Sequence, residues 1–123
     1  MAFLTDRKRA AGLGSAKSGT EHHWNMTVTS WALAILTPFF LLTFGRILGS
    51  SHEEVVAYYA NPFPAIVAAL FIATSLIHFK NGVQVLIEDY VRGYAREALI
   101  LAMTMISYAL AAVAVFAIAR LAL

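Results

Sequence analysis

Three long runs of apolar residues constrain this chain more than any other feature. They cover residues 31–48, 65–87 and 98–119, and the third contains no charged side chain. A hydrocarbon core about 30 Å thick is crossed by roughly 20 helical residues. Backbone polar groups in lipid must bond within their own segment, so each run predicts a membrane-spanning helix. The expected fold class is therefore an all-α membrane protein with three transmembrane helices.

The composition supports a membrane environment. Hydrophobic residues make up 60% of the 123-residue chain and charged residues 13%, whereas soluble domains average about half and a quarter. No cysteine is present, which excludes disulfides, iron–sulfur ligation and thiol catalysis by this chain. We expect a polar N-terminal segment, residues 1–28, followed by one transmembrane domain, residues 29–123. No nucleic-acid partner is expected.

The distribution of basic residues predicts the orientation of the helices. The connection at residues 49–63 has no Lys or Arg, whereas residues 1–28 have four and residues 89–97 have two. Cytoplasmic loops carry an excess of Lys and Arg, so residues 1–28 and 89–97 should face the cytoplasm or matrix, with the C-terminus outside. The basic residues on the inner side are Arg7, Lys8, Arg9, Lys17, Arg92 and Arg96.

Polar residues interrupt the end of the second run, in the stretch "HFKNGVQVLIEDY" at residues 78–90. On a helix, His78, Gly82, Val85 and Asp89 share one stripe. A glycine one turn from a histidine leaves space for a large flat ligand. If Asp89 marks the inner interface, His78 lies ~16 Å deeper, where an imidazole is suited to axial ligation of haem iron.

A structural role for His78 remains open beside the ligand role, because intramembrane histidines also bond to neighbouring helices. The other histidines, at positions 22, 23 and 52, are not at a similar depth. A haem held by two histidines would therefore need its second ligand from another protein.

The remaining polar residues of this stretch have plainer interpretations. Lys80 points about 200° away from His78 on a helix turning ~100° per residue, and is expected to snorkel or to pair with a partner subunit. Asn81 and Gln84 are expected to form helix–helix hydrogen bonds, and Glu88 to be a solvated interfacial charge.

Asp89 and Tyr90 have two interpretations at the membrane surface. A phenol can donate a hydrogen bond to a carbonyl, and a carboxylate can handle protons. Interfacial tyrosines are also common as simple membrane anchors. Both interpretations stay open from the residues alone.

The pattern H-x3-G-x2-V-x3-D-Y, which His78, Gly82, Val85, Asp89 and Tyr90 form, resembles the signature of a known family. That family is the small, D-type membrane-anchor subunit of succinate dehydrogenase, respiratory complex II. The upstream stretch "GLGSAKSGTEHHW" resembles the segment before the first span of its alphaproteobacterial and mitochondrial-type members. Chain length, three spans and an inside N-terminus agree with the same family.

The resemblance implies roles for individual residues. The histidine matching His78 is an axial ligand of haem b, shared with a histidine of a companion cytochrome b subunit, and Gly82 would pack at the haem pocket. The tyrosine matching Tyr90 hydrogen-bonds ubiquinone near the inner face, with the aspartate matching Asp89 beside it. No catalytic residue is expected in this chain, which would be a non-catalytic anchor.

The resemblance also implies partners and a location. A flavoprotein subunit carrying FAD and an iron–sulfur subunit would dock on the inner face, oxidise succinate to fumarate within the tricarboxylic acid cycle, and pass electrons to ubiquinone. The expected location is the bacterial cytoplasmic membrane rather than the mitochondrial inner membrane.

One stretch departs from the family pattern. After the His-Trp element the family usually has Q-R-x-T-A, whereas residues 26–30 read "MTVTS", with Thr27 in place of the arginine. The family arginine approaches the haem propionates, so those contacts cannot be carried over. His23 also stands where an aromatic residue is usual. His22 matches a family histidine near the haem or quinone region, and a functional contact and a solvated role both stay open.

Two other functions compete with the anchor hypothesis. One is a small membrane scaffold or accessory protein without a cofactor; co-purification of flavin and iron–sulfur proteins would distinguish the two. The other is a fragment of a diheme quinone-reducing cytochrome. Two b haems generally need four ligands, and a single histidine in this chain is predicted to be deep in the membrane, which disfavours the diheme alternative.

Overall fold

The computed structural model describes residues 3–14 and 19–123, and within them the chain is helical without strands. Three of the helices are long and apolar enough to cross a membrane, which confirms the all-α membrane fold. Lys17, one of the basic residues used to predict orientation, lies outside the described residues. The helices are α1 (Asp6–Ala11), α2 (Gly19–Gly45), α3 (His52–Tyr59), α4 (Pro62–Tyr90) and α5 (Tyr94–Ala122).

The three long helices extend beyond the predicted membrane spans. Helix α2 begins at Gly19, so residues 19–28 are helical and continuous with the first span. Helix α4 begins at Pro62, because proline at the first helical position has no N–H to leave unpaired and has its φ already set. The membrane boundaries along these helices, and the domain division at residues 28 and 29, stay predictions.

Helix α4 lies between the other two long helices, packing against α2 on one side and α5 on the other. We call the end of the bundle that contains Gly19, Tyr90 and Tyr94 the basal end, and the opposite end the distal end. At the basal end a three-residue turn joins α4 to α5. Gly93 in that turn has φ 70°, a left-handed conformation that glycine adopts without steric cost.

Helix α3 closes the distal end and is fixed by local hydrogen bonds. The Ser51 hydroxyl accepts from the backbone N–H of Glu54, whose carboxylate accepts from the N–H of Ser51. This capping box satisfies two backbone donors that the first turn of a helix would leave unpaired. From hydropathy alone, residues 49–63 are predicted to be a loop between two spans. Helix α3 is therefore not predicted by the hydropathy pattern.

The hydrophobic core cluster of the described chain is also at the distal end. Tyr59 of α3 meets Ala65 and Ala68 of α4, and Ala68 is only 2% exposed. Small residues at such contacts let membrane helices approach closely. Burial, and then the neighbouring Tyr58, raise the pKa of Tyr59 above its usual value. Most large apolar side chains of α2 and α5 face outward, as expected for helices that contact lipid or another subunit.

Candidate functional site

His78 lies in the middle of α4 and contacts α2 through its side chain. Its Nδ1 is 2.9 Å from the Oγ1 of Thr29, a hydrogen bond between residues 49 positions apart in sequence. The imidazole is half-buried. Its other ring nitrogen, Nε2, has no hydrogen-bond partner within residues 3–14 and 19–123. One ring nitrogen is thus hydrogen-bonded within the chain, and the other has no bond to a described residue that would block a ligand.

The side of α4 next to His78 offers space. A Cβ added to Gly82, one turn along the helix, would meet no atom within 4 Å. Val85 and Asp89, the other members of the predicted stripe, are exposed. The chain therefore leaves this strip of the helix open, as a large flat ligand or a second protein chain would require.

The structure holds no complete metal site of its own in the part of the chain that it describes. No group of three or more His, Asp or Glu side chains is arranged to hold a metal ion there. A haem shared between two subunits needs only one histidine from each, so His78 alone would be this chain's contribution.

Tyr90 and Asp89 lie at the basal end, away from His78. Tyr90 is the last residue of α4, twelve residues or ~18 Å of helix from His78. Its side chain is 81% exposed, and Asp89 is exposed as well. Neither side chain forms a hydrogen bond to any described residue. Both groups are therefore available to a ligand at the basal surface.

A polar network next to Tyr90 links the end of α4 to the start of α5. The Nε2 of Gln84 donates to the Oε1 of Glu88 at 3.0 Å, and the guanidinium of Arg96 lies 3.6 Å from the same oxygen. Gln84 thus bonds within its own helix and not across to another, contrary to the expectation for it. Glu88 makes the link between helices.

Lys80 contacts α5 within this chain. Its Nζ lies 6.0 Å from the centroid of the Tyr108 ring, within the range at which an aromatic face attracts an ammonium group. Pairing with a partner subunit was one of two expectations for Lys80, and the Tyr108 contact provides an internal alternative. Tyr108 was not among the residues singled out from the sequence.

Two further polar residues, and one ring nitrogen of a third, are buried between the helices. Asn81 is 5% exposed and Ser107, on α5, is 3% exposed. The Nε2 of His22 and the Oγ of Ser107 are buried and have no hydrogen-bond partner among the described residues. The Nε2 of His22 is thus shielded from water, which argues against a fully solvated role for this histidine.

One groove lies at the distal end, and His78 does not line it. It has a volume of about 540 Å³ and lies between α3 and α5 at the distal end, where His52, Phe116 and Arg120 line it. The groove is open, and of the residues named from the sequence His52 alone lines it, so it does not bear on the roles of the others.

Comparison with known proteins gives one consistent result. The family described as "Succinate dehydrogenase/Fumarate reductase transmembrane subunit" matches residues 2–117. The succinate dehydrogenase hydrophobic membrane anchor subunit of Paracoccus denitrificans is 45% identical over 123 residues, covering 100% of this chain and 95% of its own. The subunit of the same name from Rickettsia bellii is 32% identical over 107 residues, covering 85% of each. No solved structure matches the chain.

Proposed function

Since this chain belongs to the family of succinate dehydrogenase and fumarate reductase transmembrane subunits and is a membrane anchor subunit of succinate dehydrogenase, we propose that it helps to form the haem b and ubiquinone sites of that enzyme. It is a multi-pass membrane protein, and we place it in the bacterial cytoplasmic membrane. The chain itself carries out no step on succinate. It anchors the flavoprotein and iron–sulfur subunits, which hold the FAD and the clusters.

The environment of His78 is the main support for the haem part of this proposal. The residue is in the middle of the central helix, its Nδ1 is engaged by Thr29, and its Nε2 has no partner among the described residues. Open space lies beside Gly82 on the same side of α4. These features fit an axial ligand of haem b, with the second ligand supplied by the companion cytochrome b subunit. When bound, haem supplies one-electron redox chemistry.

The exposed basal tyrosine supports the quinone part of the proposal. Tyr90 presents its hydroxyl at the end of α4, and a hydroxyl can donate a hydrogen bond to a quinone carbonyl. Such a bond strengthens as the oxygen gains negative charge on reduction, so it favours the reduced state over the starting carbonyl. Asp89, about 100° round the helix from Tyr90, is better placed to orient groups or relay protons.

Purification of the complex through a tag on this chain tests the proposal. We expect flavin-containing, iron–sulfur and cytochrome b subunits to co-purify, with a b-type spectrum that dithionite reduces. A chain that purifies without them would instead be a cofactor-free membrane scaffold.

The His78→Ala variant tests the ligand itself. Loss of one axial ligand should remove or shift the reduced α-band and the low-spin EPR signal. Succinate oxidation with an artificial acceptor should persist, because that reaction lies in other subunits. His52→Ala is the matched control, since His52 is exposed on α3 at the distal end. An unchanged low-spin spectrum in His78→Ala would exclude His78 as a ligand.

A further inference from the structure

We propose that Thr29 is the positioning residue for His78: it holds the imidazole in the tautomer that carries a proton on Nδ1, which leaves the Nε2 lone pair free for haem iron. The Oγ1 of Thr29 lies 2.9 Å from Nδ1. This inference rests on the proposed role of His78 and extends it to a residue on another helix.

The surroundings of the Thr29 hydroxyl set the direction of this hydrogen bond. Its Oγ1 is 2.8 Å from the backbone carbonyl oxygen of Asn25 and 3.1 Å from that of Met26. Carbonyl oxygens can accept a hydrogen bond but cannot donate one. Two oxygens 2.8 Å apart therefore need a hydrogen atom between them, supplied by the hydroxyl. A hydroxyl has one hydrogen, which is therefore donated to the backbone. Towards His78 the same oxygen acts as an acceptor, so Nδ1 is the donor.

The tautomer of His78 follows from that direction. A neutral imidazole carries one proton, so protonated Nδ1 means that Nε2 has a lone pair. Histidines that bind metals almost always donate their other ring N–H to an acceptor, which fixes the ring orientation and raises the basicity of the ligating nitrogen. Thr29 provides that acceptor from α2, so the packing of α2 against α4 also sets the orientation of the His78 ring.

Neighbouring hydroxyls of α2 do not share this role. Thr27 donates to the carbonyl of His23 and Ser30 to that of Met26, both within α2. Among the described residues, Thr29 alone reaches the His78 side chain with a hydrogen bond. Thr27, which stands in place of the family arginine, therefore takes no part in orienting the His78 ring.

The Thr29→Val variant of the whole complex tests the inference, because valine keeps the branched shape but cannot accept a hydrogen bond. Loss of the acceptor should make Nε2 a weaker electron donor and favour ferrous iron. We expect a more positive haem midpoint potential and altered low-spin EPR g values. Haem retention should weaken as well, since removal of such outer partners typically costs about 10–100-fold in metal affinity.

Three further variants make the test specific. Thr29→Ser keeps a hydroxyl and should restore the wild-type potential and EPR signal. Thr29→Ala should reproduce the shift seen with valine, without added bulk. Thr37→Val is the matched control, because among the described residues the Thr37 hydroxyl bonds only to the carbonyl of Leu33 on its own helix. It should leave the haem signals unchanged.

The outcomes separate this inference from the proposed function. Wild-type potential, EPR signal and haem retention in Thr29→Val, with haem signals lost in His78→Ala, would overturn the role of Thr29 and leave the ligand role of His78 intact. A shift in Thr29→Val that is absent in Thr29→Ala, or equally present in Thr29→Ser, would indicate altered packing and would also overturn it. Unchanged signals in His78→Ala would overturn both proposals.

Discussion

Replacement of Tyr90 by phenylalanine removes a single hydroxyl from the basal surface. The side chain is 81% exposed and its hydroxyl bonds to no described residue, so the substitution breaks no hydrogen bond within the described part of the chain. A loss of quinone reduction with normal haem content and normal artificial-acceptor activity should therefore arise at the quinone. Loss of one hydrogen bond to an oxygen that becomes charged costs about 1.5–3 kcal/mol. At 1.36 kcal/mol per tenfold change, this corresponds to a loss of about 10- to 150-fold in the rate of ubiquinone reduction.

The assay is succinate:ubiquinone reductase activity, normalised to haem content and to succinate oxidation with an artificial acceptor. Both reference quantities should stay near wild type in Tyr90→Phe. Tyr94→Phe is the matched control, because Tyr94 is 93% exposed at the start of α5, at the same basal end. A wild-type rate of quinone reduction in Tyr90→Phe would mean that this tyrosine acts only as a membrane anchor. Equal losses in both variants would likewise refute a specific bond from Tyr90.

Two further predictions concern topology and packing. Single cysteines at Ser50 and Ala95, in this cysteine-free chain, should react with an impermeant thiol reagent from opposite sides of sealed vesicles; reaction from one side would refute the three-span orientation. Ala68→Leu should destabilise the distal core by about 1–3 kcal/mol, because Ala68 is 2% exposed and the site has no room for a larger side chain. Ala112→Leu, on an exposed face of α5, is the control and should leave the midpoint of thermal inactivation unchanged. Similar midpoints for the two variants would contradict tight packing around Ala68.

Local signals in the sequence could have located two features that hydropathy leaves out. Ser51 and Glu54 have the S-x-x-E spacing of a capping box, which identifies the start of α3. The order Asn61–Pro62 fits an N-cap followed by proline at the first helical position, which identifies the start of α4. Both signals act within one helical turn, so they need no knowledge of the tertiary structure.

No comparable signal could have paired residues on different helices. The contact between Thr29 and His78 joins positions 49 apart in sequence, and Glu88 meets Arg96 across the turn from α4 to α5. Lys80 is a further residue whose neighbour could not be predicted. Its angular separation from His78 on the helix does not reveal whether Lys80 faces α5, lipid or a partner subunit. In the folded chain Lys80 faces α5, where its ammonium group lies near the ring of Tyr108.

The sequence by itself determined the number and kind of spanning helices, because a backbone in lipid has no other way to satisfy its hydrogen bonds. It also determined which side chains have the chemistry for a site, notably His78 and Tyr90. The tertiary structure decided which face of each helix meets its neighbour. Apolar residues are spread almost evenly around α2 and α5, so periodicity does not specify the rotation of either helix. Only packing against α4 brings Thr29 to the Nδ1 of His78.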